Sequence, residues 1–236
     1  MASGGHVHDT YAAANKELFD KKALEVDAMP EFQAVGRDVA AALLRIYPAL
    51  FDPEKTEVLD FACGTVNPLG LVSLHIAPHV KSLVGVDISE GMVARFNERA
   101  SEMGLPLSKA RAEAIELKGT GDELGGAKFD VVLCTLAYHH LSSISATTAL
   151  LASFLKPGGA LLVVDHMATP ETRENDVPEE FQNAVKTTAG FSEAQIREVF
   201  EGAGLQEFEF GHALTATVLG KERAAFVAKG LLPVKV

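Results

Sequence analysis

The sequence predicts an α/β fold: a doubly wound sheet of seven strands, the last one antiparallel, with helices on both faces. Two observations carry this. Strand-like and helix-like segments alternate along most of the chain, as in a parallel sheet covered on both sides. The strongest strand candidates, Phe129 to Thr135 and Ala160 to Asp165, are nearly continuous apolar runs, which suits strands buried on two faces.

The elements follow in order. Glu31 to Tyr47 places Phe32, Val35, Val39, Leu43 and Ile46 near helical spacing, and Pro48 ends the run. Thr56 to Phe61 and Leu83 to Ile88 read as short strands. Ser89 is a helix N-cap with Glu90 beside it, for a helix reaching about Met103. Leu107 to Glu113 is a weaker strand, followed by the strand Phe129 to Thr135. Thr147 to Leu155 reads as a helix stopped by Pro157, Gly158 and Gly159, and Ala160 to Asp165 as a buried strand. Ser192 caps another helix with Ile196, Val199 and Phe200 on its apolar face. Leu205 to Phe210 and Ala224 to Ala228 complete the seven as a hairpin turning at Gly220 and Lys221.

The 236 residues suit a single domain, 1–236, with 1–30 and 169–191 as candidate lids over a substrate. Composition narrows the function classes. With 47% hydrophobic and 22% charged residues the chain is ordinary for a globular protein and unlike a disordered one. A formal net charge of -11 argues against a nucleic-acid partner. No apolar run approaches the roughly 18 residues that span a bilayer, and the N-terminus lacks a signal pattern. The expectation is a cytoplasmic protein, a monomer or weak dimer, acting on a small molecule. Cys63 and Cys134 do not have metal-ligand spacing, and no metal is expected.

Val58-Leu59-Asp60-Phe61-Ala62-Cys63-Gly64-Thr65 is a strand running into a turn of small residues, where backbone N–H groups can approach a ligand closely. Leu83 to Asp87 is a strand ending in a carboxylate able to hold two ribose hydroxyls. Both features suit a nicotinamide dinucleotide as well as other nucleoside cofactors.

Together with Phe129 to Cys134 and the run Leu155-Lys156-Pro157-Gly158-Gly159-Ala160-Leu161, the chain resembles the class I methyltransferases that use S-adenosylmethionine (SAM). The Lys-Pro-Gly-Gly run is not a dehydrogenase feature. The resemblance is strong over Val58 to Val164 and looser to the end. Within the class it is similar to fungal small-molecule methyltransferases of the UbiE/COQ5-like group, which includes the enzyme that S-methylates the dithiol form of gliotoxin. The resemblance implies a Rossmann-like sheet, SAM as cofactor and S-adenosylhomocysteine as product.

It also implies roles by position. Asp60 orients the methionine end, and Ala62, Gly64, Thr65 and Gly70 line the turn beneath it. Asp87 takes the ribose, Ile88 and Met92 flank the adenine, and Glu113 with Ala114 lies near the adenine amino group. Cys134 and Leu136 approach the methionyl part, and Tyr11 belongs to the N-terminal lid with Asn15 and Phe19. One departure stands out: Val66-Asn67-Pro68-Leu69 are four extra residues inside the cofactor loop, from which weaker SAM binding is expected.

The segment after the fourth strand, Ala137-Tyr138-His139-His140-Leu141, begins where an acceptor should sit. His139 is the first candidate for a base or orienting group and His140 the second. Asp165-His166 ends the fifth strand and faces the same region. Packing and pocket-shaping are the competing readings of both candidates. The favoured acceptor is a thiol; oxygen, nitrogen or carbon acceptors, a non-catalytic SAM-fold module and a nicotinamide oxidoreductase remain as alternatives.

Overall fold

A computed structural model of the chain describes residues 12–21, 30–64, 71–170, 185–218 and 220–234. The strands are β1 Glu57–Phe61, β2 Ser82–Asp87, β3 Ala110–Ala114, β4 Phe129–Thr135, β5 Leu155–His166, β6 Gln206–Val218 and β7 Lys221–Leu231. They form one sheet in the order β3-β2-β1-β4-β5-β7-β6. β1 to β5 pair in parallel, and β7 runs antiparallel to both β5 and β6. The helices are α1 at 12–21, α2 Pro30–Ile46, α3 Leu71–Ile76, α4 Glu90–Glu102, α5 Ile144–Ser153 and α6 Glu193–Gly202.

The apolar strands divide their side chains by parity between two cores. Val58, Leu83, Val131, Leu133, Leu162 and Val164 face α2, α3 and α4, meeting Val39, Leu43, Leu74 and Phe96. Leu59, Val84, Val132, Cys134, Leu161 and Val163 face α5 and α6, meeting Leu151, Ile196 and Phe200. The chain winds outward from β1 through β2 to β3, then returns and winds the other way through β4 and β5. Neighbouring β1 and β4 therefore flank a topological switch point, where open α/β sheets hold ligands beyond the carboxyl ends of the strands.

Both anticipated caps are present. Ser89 Oγ accepts the Met92 N–H at 3.1 Å, and Ser192 forms a capping box with Gln195. Several sequence boundaries are corrected. The helix expected at Thr147 to Leu155 runs Ile144–Ser153. Pro157 to Gly159 lie within β5, which starts at Leu155; the register jumps from Phe129↔Leu155 to Val131↔Ala160, so the run forms a bulge. A Cβ at Gly159 would sit 2.9 Å from the Lys156 carbonyl and 3.0 Å from those of Phe129 and Asp130. The last two strands are far longer than the expected Leu205 to Phe210 and Ala224 to Ala228, and Lys221 already pairs with Val218. The turn before it contains Gly220 at φ 73°. Helix α1 had no counterpart in the sequence reading.

Candidate active site

Two turns with unusual backbone mark the switch point. Ala62, just after β1, has φ 57°, and Leu136, just after β4, has φ 53°. Left-handed backbone at a residue with a Cβ is uncommon and costs free energy, and it gathers at functional sites. Each turn is pinned to a neighbouring strand. The Cys63 N–H donates to the Val86 carbonyl at 3.1 Å, and the Leu136 N–H donates to the Val164 carbonyl at 2.7 Å.

Over the ends of β1 and β2 lies a cavity of about 360 Å³. Ala62, Asp87, Ile88, Ile115, Leu141 and Leu150 line its length. Helix α1 covers it with Ala12, Asn15 and Phe19. Asp20 fixes that cover to the start of α4: its Oδ1 accepts Ser89 Oγ–H at 2.5 Å and the Gly91 N–H at 3.3 Å.

Asp87 stands at the end of β2 on the cavity wall. Its Oδ2 accepts the Gly64 N–H at 3.0 Å and its Oδ1 the Ser89 N–H at 2.9 Å. Burial lifts its carboxyl to about 6, against the lowering effect of those N–H groups. Asp60 is buried near the end of β1 and accepts a hydrogen bond from Ser73. Burial, opposed by Ser73 and reinforced by Asp87, lifts its carboxyl to about 7. Its buried Oδ1 has no hydrogen-bond partner among the described residues.

These features fit SAM. A carboxylate oxygen buried without a partner calls for a donor or a cation, and the methionine ammonium supplies both. Asp87 takes backbone N–H groups from Gly64, Ser89 and Ile88, and a carboxylate's roughly four lone-pair sites leave acceptor capacity for a ribose hydroxyl. Asp60 lies behind the wall and does not line the cavity; apart from Asp87 the wall is mostly apolar, as a purine requires.

The other anticipated cofactor residues divide. Gly64 packs so tightly that a Cβ there would lie 2.3 Å from Met92 Cβ. Met92 is wholly buried behind it and does not line the cavity. Glu113 and Ala114 also lie off the wall; Glu113 pairs with Arg111 at 3.3 Å, and Ile115 to Lys118 line the cavity in their place. Cys134 is fully buried in the core facing α5 and α6. Tyr11, Thr65, Gly70, the stretch 66–69 and most of 169–191, including Phe181, lie outside the described residues. Phe191 is core, edge-on to Tyr138 and Phe226. Asp20, Ser73 and the α5 residues Ala146, Thr147 and Leu150 were not anticipated.

The two histidines part company on a single 3-10 turn, Tyr138–His140. His140 lines the large cavity, with its ring edge-on to Phe19 at 5.5 Å. His139 lines a separate chamber of about 60 Å³ together with Leu136, His166, Arg223 and apolar residues of α2, β6 and β7. The rings of His139 and His140 lie 4.1 Å apart. The His139 carbonyl accepts the N–H groups of Lys186 and Thr187 at 2.7 and 3.1 Å. This ties the latter part of the 169–191 segment to the turn.

Behind His139 stands Asp165, which has no exposed surface. Its Oδ1 lies 2.8 Å from His139 Nδ1 and accepts the His166 N–H at 2.6 Å, while Oδ2 accepts the His139 backbone N–H at 3.2 Å. Burial alone would raise this carboxyl, but His139 and His166 hold it at about 2. An ionised carboxylate only accepts, so Nδ1 carries the proton and, in the neutral ring, Nε2 is the basic nitrogen. The atoms of His139, Asp165 and His166 that could ligate a metal lie within 4.8 Å of one another. Both oxygens of Asp165 are already engaged by N–H donors.

Residues 58–159 match the family model described as a methyltransferase domain. Over this stretch the chain is similar to methyltransferase domains. It is 36% identical over 172 residues to an uncharacterised methyltransferase, C1347.09, of Schizosaccharomyces pombe, covering 71% of this chain and 56% of that protein. It is 31% identical over 126 residues to an uncharacterised methyltransferase, YcgJ, of Bacillus subtilis, covering 53% and 45%. The chain thus spans about half the length of the curated relatives it matches. In fold it is similar to magnesium protoporphyrin IX methyltransferase from Synechocystis PCC 6803, solved with bound S-adenosylhomocysteine. That match has a TM-score of 0.62 at 20% identity and covers 96% of this chain and 98% of that one. Among the described residues no helix is long and apolar enough to cross a membrane.

Proposed function

We propose that the chain transfers a methyl group from SAM to a small-molecule acceptor that gives up a proton as it reacts, with His139 as base and Asp165 as the residue that positions it. One observation carries this reading. A buried, ionised carboxylate fixes His139 Nδ1 at 2.8 Å, beside a chamber distinct from the large cavity.

SAM supplies a methyl group already activated on a sulfonium, so the protein's task is alignment and exclusion of water. Asp87 holds the ribose and Asp60 the ammonium. Phe19 and Asn15 of α1 close the cofactor cavity. Asp165 holds the His139 ring in one tautomer, and Nε2 takes the acceptor's proton.

The acceptor atom we favour is sulfur, on a small secondary metabolite of the dithiol kind that the gliotoxin resemblance suggests. Hydroxyl oxygen is the second reading, and the Asp165–His139 pair favours it, because a hydroxyl needs a base far more than a thiol does. We place the reaction in the cytoplasm, where the two free, buried thiols Cys63 and Cys134 stay reduced.

The test offers labelled SAM with a panel of thiols, phenols and amines and reads products by mass spectrometry. Products on thiols or hydroxyls, lost in His139→Ala while SAM affinity holds, support the proposal. Methylation of amines alone, or full activity in His139→Ala, refutes it.

A further inference from the structure

Past β3 the chain forms part of the wall of the large cavity with no helix or strand to hold it. Ile115, Glu116, Leu117 and Lys118 line the cavity, yet 115–120 belong to no regular element. The near end of this loop is fixed. The Ile115 N–H donates to the Asp87 carbonyl at 2.9 Å, and Leu117 is buried in the core facing α5 and α6. The far end is held by a side chain that does not line the cavity. Glu123 Oε1 accepts the N–H groups of Lys118 and, at 3.1 Å, of Gly119, and its Oε2 accepts that of Thr120 at 3.0 Å.

Successive N–H groups turned toward one point make a concave seat for an anion, and here a carboxylate of the same chain fills it. Gly119 at φ 75° and Gly121 at φ 90° supply left-handed bends on either side of Thr120. The loop also packs on α5. A Cβ at Gly119 would lie 3.1 Å from Leu150 Cδ1, and Leu150 lines the same cavity. Glu123 begins a short 3-10 turn, Glu123–Gly126. Leu124 anchors that turn by packing against the core facing α5 and α6, and it takes φ 53°. Left-handed backbone at such a residue persists only where the surroundings hold it. A carboxylate carried on an anchored turn thus grips a loop that lacks regular structure of its own.

We infer that Glu123 is a positioning residue for the cofactor's nucleoside, preorganising the loop 115–120 as a cavity wall without touching the ligand. The inference rests on the reading of the large cavity as the SAM site. The nucleoside end is the relevant one, because the loop's first N–H is held by Asp87, the residue assigned to the ribose. Preorganisation acts on the free protein. A loop released from Glu123 samples other conformations, and the apparent dissociation constant rises by the inverse of the fraction that stays competent. With about one tenth competent, affinity falls about tenfold. The loss falls on association, since dissociation starts from a complex whose loop is already in place.

The experiment uses the full chain and its Glu123→Ala and Glu123→Gln variants. Hydrogen exchange read by NMR follows the Lys118, Gly119 and Thr120 amides without ligand. Surface plasmon resonance gives association and dissociation rates for S-adenosylhomocysteine, and calorimetry gives adenosine affinity. Wild type should protect all three amides. Glu123→Ala should exchange them about tenfold faster and bind both ligands about tenfold more weakly. For S-adenosylhomocysteine the change should lie in the association rate, with dissociation and melting temperature near wild type. Glu123→Gln keeps an accepting oxygen and should recover part of each effect; it carries the comparison if the Ala variant does not fold. Unprotected amides in wild type, or wild-type binding by Glu123→Ala, overturn the inference and leave the SAM site standing. A loss confined to the dissociation rate, or one that spares adenosine, overturns it as well. Binding of neither ligand by wild type overturns the SAM reading and the inference together.

Discussion

Replacing Asp165 by Asn tests the proposed chemistry most directly, because the consequences can be worked out atom by atom. The carboxylate faces three donors: His139 Nδ1–H and the His166 N–H at Oδ1, and the His139 N–H at Oδ2. Asn offers one accepting oxygen and one donating NH2. With the oxygen at the Oδ1 position, the NH2 confronts the His139 backbone N–H, and an unsatisfied buried donor costs about 1–3 kcal/mol. With the oxygen at the Oδ2 position, the NH2 donates to His139 Nδ1 but confronts the His166 backbone N–H; the tautomer reverses, and Nε2 carries a proton and can no longer accept one. Either arrangement leaves one backbone N–H unsatisfied, and the second also removes the base. Positioned general bases contribute about 10²–10⁴ in rate, so kcat in Asp165→Asn should fall by about that factor. SAM affinity should hold, since Asp165 lies off the large cavity. The assay is single-turnover methylation with labelled SAM from pH 7 to 10. With a thiol acceptor the deficit should shrink above about pH 8.5, where the acceptor ionises unaided; with an aliphatic hydroxyl it should persist. A wild-type kcat at pH 7 in this variant would refute the assignment of His139 as base.

Four further expectations follow from the cofactor end and from the cluster itself. Asp87→Asn keeps the shape and loses a charged acceptor, worth about 1.5–3 kcal/mol per hydrogen bond; calorimetry should show SAM binding weaker by about 10- to 100-fold, and unchanged affinity would remove Asp87 from the site. In Gly64→Ala the new Cβ would lie 2.3 Å from Met92 Cβ and 3.2 Å from Asp87 Oδ2, so denaturant unfolding should register a loss of about 1–3 kcal/mol together with a weakened cofactor site. Asp60 and Asp87 have carboxyls raised to about 7 and about 6 from 3.8. The folded chain therefore holds their protons more tightly, and this stabilisation is full below about pH 4 and lost as pH rises through about 6 and 7. The depressed carboxyl of Asp165 acts in the opposite sense and only below about pH 4. The melting temperature of Asp60→Asn without ligand should accordingly decline less than that of wild type between pH 4 and 8. Finally, dialysis against a chelator should leave kcat unchanged, because the Asp165 oxygens already accept N–H donors; loss of activity restored by one divalent ion would recast His139, Asp165 and His166 as ligands.

Long-range architecture was legible where local chemistry and global fold agree. β4 has the bounds its apolar run announces, and Ser89 and Ser192 cap the helices they precede. β6 was truncated in the sequence reading because, past Phe210, it continues as Gly211-His212-Ala213-Leu214-Thr215-Ala216-Thr217. It is an edge strand with two register shifts, so it shows no clean alternation. α3 is six residues long, too short for a helical period to declare itself. At the site, the turn and the carboxylate of β2 were readable because one motif holds each of them. The separation of His139 from His140 was not, since adjacent residues on a tight turn diverge in a direction only the tertiary structure sets. Nor was the bond from His139 to Asp165. It spans 26 residues and exists because β4 and β5 pair with Thr135 opposite Val164.

The bulge at Lys156 to Gly159 has a consequence for how such sequences are classified. It sits at the base of the sheet, where Lys156 bridges Glu57 and Asp130 at 2.9 Å each, at the opposite end of β5 from Asp165 and His166. The most diagnostic stretch of the chain is thus an assembly joint, silent about what is methylated. In the proposed reading, chemical selectivity is written instead on α2 and the β6–β7 hairpin, which line the chamber beside His139. Two chains that share the joint can diverge freely in their metabolites, and grafting another hairpin is the natural way to retarget this one.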